Sequence, residues 1–248
     1  MKCLVLAAGY ATRLYPLTEN FPKPLLEVRG KTILDWLADD LHTVGLIEEY
    51  IVISNHRYAE HFTEWAKAKP YPVTVVDDGS ISNETRLGAV RDIQFAVEQR
   101  DIHGDLLIIC GDNLVDFSLS EFIRYAQAKK ASCVMRYCEH DDERLQKCGV
   151  AQIDGDDRII NMMEKPRRPA SHWAVPPFYF YVDADARRVG EAIADGCGVD
   201  APGSFAAWLC KKTSVYAMEM PGRRYDIGNL ESYKKVQNEY RGYGKNDI

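Results

Sequence analysis

Arg13 and Lys23 are the first residues along the chain whose types and setting suit chemistry. They lie within residues 6–28, which read LAAGYATRLYPLTENFPKPLLEV. A short apolar run ends in the small residues Ala7, Ala8 and Gly9; Arg13 follows four positions after Gly9, and Lys23 stands between two prolines that fix its stem. Small side chains let a bulky ligand lie against the main chain. Arginine offers a planar fork to phosphate oxygens and lysine a point charge, so together they suit a polyphosphate. An ordinary strand-to-loop corner with two surface cations would use the same residues, and any one of them alone favours that plainer account. Two familiar nucleotide loops are excluded. G-x-G-x-x-G fails because Gly9 stands alone, with Ala11 where a second glycine would fall, and G-x-x-x-x-G-K-[ST] is absent.

Further candidates are spread along the chain. Asp112 and Asn113 close DLLIICGDN, Glu164 and Lys165 sit in MEKP, Asp226 in YDIGN, and Gly88 in LGAV. Each has a plain alternative. Gly-Asp at a strand end is often only a turn, Glu-Lys-Pro can be a solvated edge, and Asp226 before Ile-Gly could cap a terminal helix. Asn83, Glu84 and Arg86 precede Gly88 and could touch a base or ribose, although Glu84 suits a helix start equally well. The six histidines show no partner pattern and receive no role.

The elements that must position these residues alternate regularly. Residues 2–6 read as a buried strand. Leu34, Leu37, Leu41 and Val44 recur at helical spacing after a Thr32/Asp35 capping pair, with Gly45 as the stop. Strands follow at YIVIS, VTVVD and DLLIIC, separated by helices over residues 58–68 and 84–99; Ser118 and Glu121 predict a capping box for the next helix. Alternation of this kind gives βαβ units and a mostly parallel sheet, whose ligands bind beyond the strands' carboxyl ends. Both the 7–9 turn and the 111–113 turn fall at such ends. The second half predicts shorter strands at ASCVMRY, GVAQID, DRIINMMEKP, FYFYVD and SVYAMEM. Helices are predicted over residues 184–194, near 205–211 and from 230 to about 240, and a proline-rich loop over 166–177. The expectation is one α/β domain over residues 1–248, Rossmann-like and three-layered (α/β/α), with a mostly parallel central sheet.

Composition narrows the classes. With 31 Lys+Arg against 37 Asp+Glu the net charge is −6, which argues against a nucleic-acid or anionic-membrane binder. No apolar run approaches the ~18 residues of a bilayer span, and the first residues lack the pattern of a signal peptide. The seven cysteines form no CxxC or Cys/His cluster, so neither a disulfide framework nor a zinc site is predicted. A cytoplasmic location is expected.

Taken in order, L-A-A-G-x-x-T-R-L-x-P-L-T-x-x-x-P-K-P-L-L-x-V resembles the signature of the sugar-phosphate nucleotidyltransferases, also called nucleoside-diphosphate-sugar pyrophosphorylases. GDN, MEKP, YDIGN and LGAV extend the resemblance down almost the whole chain in family order. The resemblance implies nucleotide binding by Leu6, Ala7, Ala8, Gly9, Gly88 and Asp112, and sugar-phosphate binding by Glu164, Lys165 and Asn113. It implies a metal, Mg²⁺, on Asp112 and Asp226, and charge stabilisation at the reacting phosphates by Arg13, Lys23 and Lys165. The implied substrates are a nucleoside triphosphate and a sugar 1-phosphate, and a homo-oligomer is compatible with it. Three departures stand out: Ala11 for glycine, Tyr225 for tryptophan, and Pro176-Pro177 in place of a Thr-Gly segment. No hexapeptide repeats are present, so no appended β-helix is expected. Two alternatives stay open: a cytidylyltransferase acting on a non-sugar phosphate such as phosphocholine, and a non-catalytic sugar-nucleotide sensor.

Overall fold

The computed structural model describes residues 1–243; the last five positions of the expected domain lie outside the described residues. The first half builds the parallel core. In chain order it comprises β1 (Lys2–Leu6), a small hairpin of β2 (Glu27–Val28) and β3 (Lys31–Thr32), α1 (Ile33–Val44), β4 (Glu49–Ser54), α2 (Ala59–Lys67), β5 (Val73–Asp77), α3 (Ala89–Gln99) and β6 (Leu106–Cys110). The strands lie in the order β5-β4-β1-β6, all parallel.

The second half extends the sheet with reversed strands. It contains β7 (Asn113–Val115), α4 (Ser120–Lys129), β8 (Cys133–Cys138), α5 (Asp142–Leu145), β9 (Gly149–Ile153), β10 (Ile159–Glu164), β11 (Trp173–Val175) and β12 (Phe178–Tyr181). The chain continues through α6 (Asp183–Ala186), α7 (Val189–Ala194), α8 (Gly203–Leu209), β13 (Tyr216–Glu219), β14 (Arg224–Asp226) and α9 (Leu230–Glu239). β12 runs antiparallel to β6 and to β8, β13 pairs with β8 in parallel, and β11, β9 and β10 complete that edge.

Alternation along the strands divides the core between two faces. Leu4 of β1 and Ile108 of β6 pack with Ile93 and Val97 of α3 and with α7 and α8. Cys3 and Val5 face the other way, onto Leu34, Leu37 and Leu41 of α1, Phe62 of α2 and Phe122 of α4. Successive strand residues point to opposite faces, so a two-sided apolar run is what a sheet buried between helix layers requires. A smaller cluster of Leu14, Ile33, Leu114, Ile227, Val236 and Tyr240 seats α9 against the loop that carries Arg13.

Several local expectations hold. Thr32 and Asp35 form a reciprocal capping box at α1, and Gly45 ends it in the left-handed region. Others are corrected. The helix expected from residue 84 starts at Ala89, because Gly88 has φ 93° and ψ 149°, outside helical space and open to glycine alone. The Ser118/Glu121 box does not form: α4 begins at Ser120, which puts Glu121 one place too early, and Ser118 Oγ instead accepts from the Ser120 amide at 3.1 Å. The helix expected over 184–194 splits into α6 and α7 beside Asp185, which turns inward to accept from Ser132 Oγ at 2.6 Å. The 166–177 loop contains β11, and Asp226 lies in β14 while Asn229 caps α9.

Gly88 fixes where α3 meets the segment at 199–200. A Cβ there would come within 2.6 Å of the Val199 carbonyl oxygen, and the Val90 amide donates to that same oxygen at 2.9 Å. Gly88→Ala is therefore expected to destabilise the fold by about 2 kcal/mol or more in urea denaturation, combining backbone strain with a main-chain clash; a loss below about 0.5 kcal/mol would contradict this reading.

Candidate active site

The parallel register of β1 and β6 creates the site. Leu6 pairs with Cys110, and the Gly111 amide donates to the Leu6 carbonyl at 3.1 Å, so the turns that follow both strands leave the sheet side by side. A cavity of about 310 Å³ opens there. It is lined by Leu6, Ala7, Ala8 and Gly9 from the first turn, by Arg13, Lys23 and Asp112, and by Arg86, Gly88 and Asp92 at the start of α3.

The first turn is pinned from behind. The Ala7 amide donates to the Ile53 carbonyl at 2.9 Å, and Asn55 Nδ2 donates to the Ala8 carbonyl at 2.9 Å. A Cβ on Gly9 would meet no protein atom, so its missing side chain leaves open space rather than serving internal packing. Ala11, where glycine is usual, takes the left-handed conformation with φ 47°, at a cost of about 1 kcal/mol. Thr18 Oγ1 donates to the Ala11 carbonyl at 2.8 Å and holds the loop in that shape. Thr18 belongs to the opening signature, but the sequence assigned it no role.

Lys23 is only 7% exposed, an unusual place for an ammonium. Its Nζ donates to Asp112 Oδ2 at 2.7 Å. Gly111 makes the approach possible, because a Cβ there would crowd Val5 and Pro24 at 3.0 and 3.3 Å. Burial works to raise the Asp112 carboxyl, but the Lys23 ammonium and then the Arg224 guanidinium outweigh it and hold the group below the usual carboxylate range. Arg13 has no hydrogen-bond partner among the described residues, and its guanidinium lines the cavity beside Gly228. None of the six histidines lines it.

Asn113 requires a correction. The residue expected to meet a sugar phosphate is 2% exposed, and both ends of its amide are engaged within the protein: Nδ2 donates to Asp112 Oδ1 at 2.7 Å, and Oδ1 accepts from Arg224 Nη1. It positions Asp112 and does not face the cavity. Arg224, which sequence reasoning missed, is the third member of that chain.

Asp226 reaches the neighbourhood through strand pairing. In the antiparallel β7–β14 ladder it stands opposite Asn113, one residue from Asp112. Its carboxylate lies 3.6 Å from Arg224 and opens mainly onto an adjoining groove lined by Tyr137, Cys148 and Arg223. A side chain on Gly228 would come within 3.7 Å of Asp226 Oδ2 and 3.9 Å of Arg13 Nη1, so the bare glycine lets both face one space. Among the described residues no group of three or more His, Cys, Asp or Glu side chains is arranged to hold a metal ion. Asp112, in the turn just before β7, and Asp226, at the end of the β14 strand paired with β7, suit Mg²⁺, which takes one or two carboxylates and fills its octahedron with water and substrate phosphate oxygens. Both Asp112 oxygens already accept one bond but retain lone pairs.

Glu164 and Lys165 lie outside the cavity lining, at the end of β10. Lys165 takes φ 47°, is half exposed, and its Nζ stands 4.0 Å from Asp200, a cavity-lining residue that also accepts from Arg86 Nη2 at 2.7 Å. Glu164 Oε2 occupies the space beside Gly203, where a Cβ would sit 2.0 Å away, and Tyr179 OH converges on the same point. Burial pushes the Glu164 carboxyl up to about 7, with Lys165 opposing. Glu84 is exposed and precedes α3.

The chain belongs to the nucleotidyl transferase family: the family profile matches residues 2–242. More narrowly, its similarities are to sugar-phosphate nucleotidyltransferases. It is 27% identical over 249 residues to UTP–glucose-1-phosphate uridylyltransferase AglF of Haloferax volcanii, covering 96% of this chain and 95% of that protein. It is 25% identical over 247 residues to a glucose-1-phosphate adenylyltransferase of Fervidobacterium nodosum, covering 93% of this chain and 59% of the relative. Against a Sulfolobus acidocaldarius relative, 26% identical over 239 residues, the chain spans 63% of the length. A crystal structure of UDP-glucose pyrophosphorylase with UDP-glucose shares the fold, with a TM-score of 0.82, 20% identity, and coverage of 96% of this chain and 97% of that one. Among the described residues no helix is long and apolar enough to cross a membrane.

The raised Glu164 carboxyl has a consequence for stability. Its folded value lies above the ordinary 4.5, so between pH 4.5 and about 7 the folded state holds more protons than the unfolded one and stability falls as pH rises. Glu164→Gln is expected to flatten this slope and to gain on the order of 2 kcal/mol over the parent at about pH 8 in urea denaturation. Parallel pH profiles for the two proteins would contradict it.

Proposed function

We propose that the chain joins a nucleoside triphosphate to a sugar 1-phosphate, releasing pyrophosphate and forming a nucleoside-diphosphate sugar. The observation that carries the reading is the buried Lys23 ammonium paired with Asp112 in a cavity that also holds Arg13, which has no hydrogen-bond partner among the described residues. A phosphate oxygen of the sugar 1-phosphate attacks the α-phosphorus, the bond to the β-phosphate's bridging oxygen breaks, and pyrophosphate departs. The attacking group is a phosphate monoester with a second pKa of about 6, already an anion near neutrality, so the step needs no general base. That suits a cavity without histidine.

What the reaction needs is neutralisation and alignment of two anions. Arg13 stabilises the departing pyrophosphate, Lys23 the α-phosphate, and Lys165 the acceptor's phosphate, while Glu164 accepts bonds from sugar hydroxyls. The main chain of residues 7–9 and Gly88 receives the nucleoside. Asp112 and Asp226 would hold Mg²⁺, which supplies Lewis-acid charge neutralisation at the reacting phosphates. The Haloferax relative named for UTP and glucose 1-phosphate supports the sugar reading, and it matches over nearly its full length. Cytoplasmic location belongs to the same proposal.

Pyrophosphate release measured across CTP, UTP, dTTP, GTP and ATP against several sugar 1-phosphates and phosphocholine tests this directly. A productive pair that requires Mg²⁺ and loses about 10²–10³ in kcat in Asp112→Asn is expected. Turnover with phosphocholine alone, or tight nucleotide binding without turnover on any acceptor, would overturn it.

A further inference from the structure

Asp92 has no part in the scheme above. It lies in the first turn of α3, one turn beyond Gly88, is 6% exposed, and lines the cavity with Leu6, Gly88 and Ala89. Its Oδ1 is buried without a hydrogen-bond partner among the described residues. A buried carboxyl without partners costs free energy that leucine or alanine in the same place would not. The nearby donors are committed elsewhere: the Ala89 and Val90 amides donate to the Asp200 and Val199 carbonyls, and Arg86 is turned to Asp200 and Asn83. Asp92 Oδ1 is thus left able to accept from a ligand, with the buried Asp78 carboxyl as its charged neighbour.

The triphosphate cannot supply the donor, since ionised phosphate oxygens only accept bonds and would be repelled. Those charges belong near Arg13, Lys23 and Asp112, and Asp92 stands with Gly88, where the nucleoside is placed. We propose that Asp92 accepts a hydrogen bond from an exocyclic amino group of the base, making it a specificity residue for amino-bearing triphosphates against those that present a carbonyl there. The inference rests on the nucleotide placement of the proposed function. It deepens that function by narrowing the substrate to CTP, ATP or GTP over UTP and dTTP. Ala89 adds no side-chain donor or acceptor of its own beside this carboxylate.

Burial and then the Asp78 charge push the Asp92 carboxyl up to about 7. The test is therefore run at about pH 8.5, where it is an acceptor only. Equilibrium binding is compared for CTP against UTP and ATP against ITP, which exchange an amino group for a carbonyl together with an adjacent ring N–H, and for GTP against ITP, which differ at the amino group alone, all on an unchanged ribose and triphosphate. The best-bound amino nucleotide is expected to exceed its counterpart by about tenfold or more, and the ratio should collapse to within about threefold in both Asp92→Asn and Asp92→Leu. Asn keeps the shape and Leu removes the polar group, so a folding failure in one leaves the other to decide. Equal or tighter binding of UTP or ITP to the parent, or a ratio surviving both substitutions, would overturn the proposal. So would a dependence on the ribose hydroxyls alone, read from 2′- and 3′-deoxynucleotides. Binding needs no turnover: a base preference that collapses with Asp92, without pyrophosphate release on any acceptor, would sustain this inference while overturning the transferase.

Discussion

An ammonium buried at 7% exposure must be paired, and the site is organised around how Lys23 is paired. Its partner Asp112 sits 2.7 Å away at the end of β6. Removing Asp112 leaves the buried Lys23 ammonium uncompensated, a loss typically of about 3–5 kcal/mol, whereas the intact pair offsets its own desolvation at best partly. A pair that is poor value for stability but costly to break suits a place where further charge is to arrive. Incoming phosphates would find a cation already held in place, and a carboxylate kept ionised although burial opposes it.

Everything nearby serves that geometry. The β1–β6 register sets the two turns beside each other, Gly111 lets Pro24 and with it Lys23 come close, and the Asn113–Arg224 chain fixes the second oxygen of Asp112. β14 then brings Asp226 opposite Asn113 from more than a hundred residues away in sequence. That meeting is made by a separate two-stranded ladder beside the main sheet, whose second half is mixed. In that half β12 joins the core antiparallel to β6, and the Cys110 amide donates to Pro177 across that edge, where the chain departs from the family's Thr-Gly segment.

Much of the core was legible because its signals are local. β1, β4, β5 and β6 are short apolar runs bounded by turns, and α1 announces itself by both its periodicity and its caps. What escaped was set by distance. The start of α3 depends on Gly88 meeting Val199, a contact between segments over a hundred positions apart, and β14 exists only because β7 lies ready to pair with it. The site divides the same way. Arg13, Lys23, Asp112 and the 7–9 turn carry a dense run of motif residues and do converge on one cavity. Asn113 read as a ligand contact because its motif marks the place but not which way the amide points. Asp92 and Arg224 have no motif at all, and Thr18 has one that names no role, so their importance shows only in what surrounds them.

The central claim is that Lys23 and Asp112 act as one unit on the reacting phosphates. A double-mutant cycle in kcat/KM, with Lys23→Met, Asp112→Asn and the two combined, tests it most directly. Coupling predicts that the double variant is about as impaired as the worse single one, leaving an interaction of at least about 2 kcal/mol. Losses that simply add, to within about 0.5 kcal/mol, would mean that the two residues contribute independently and that the pair is a feature of packing alone.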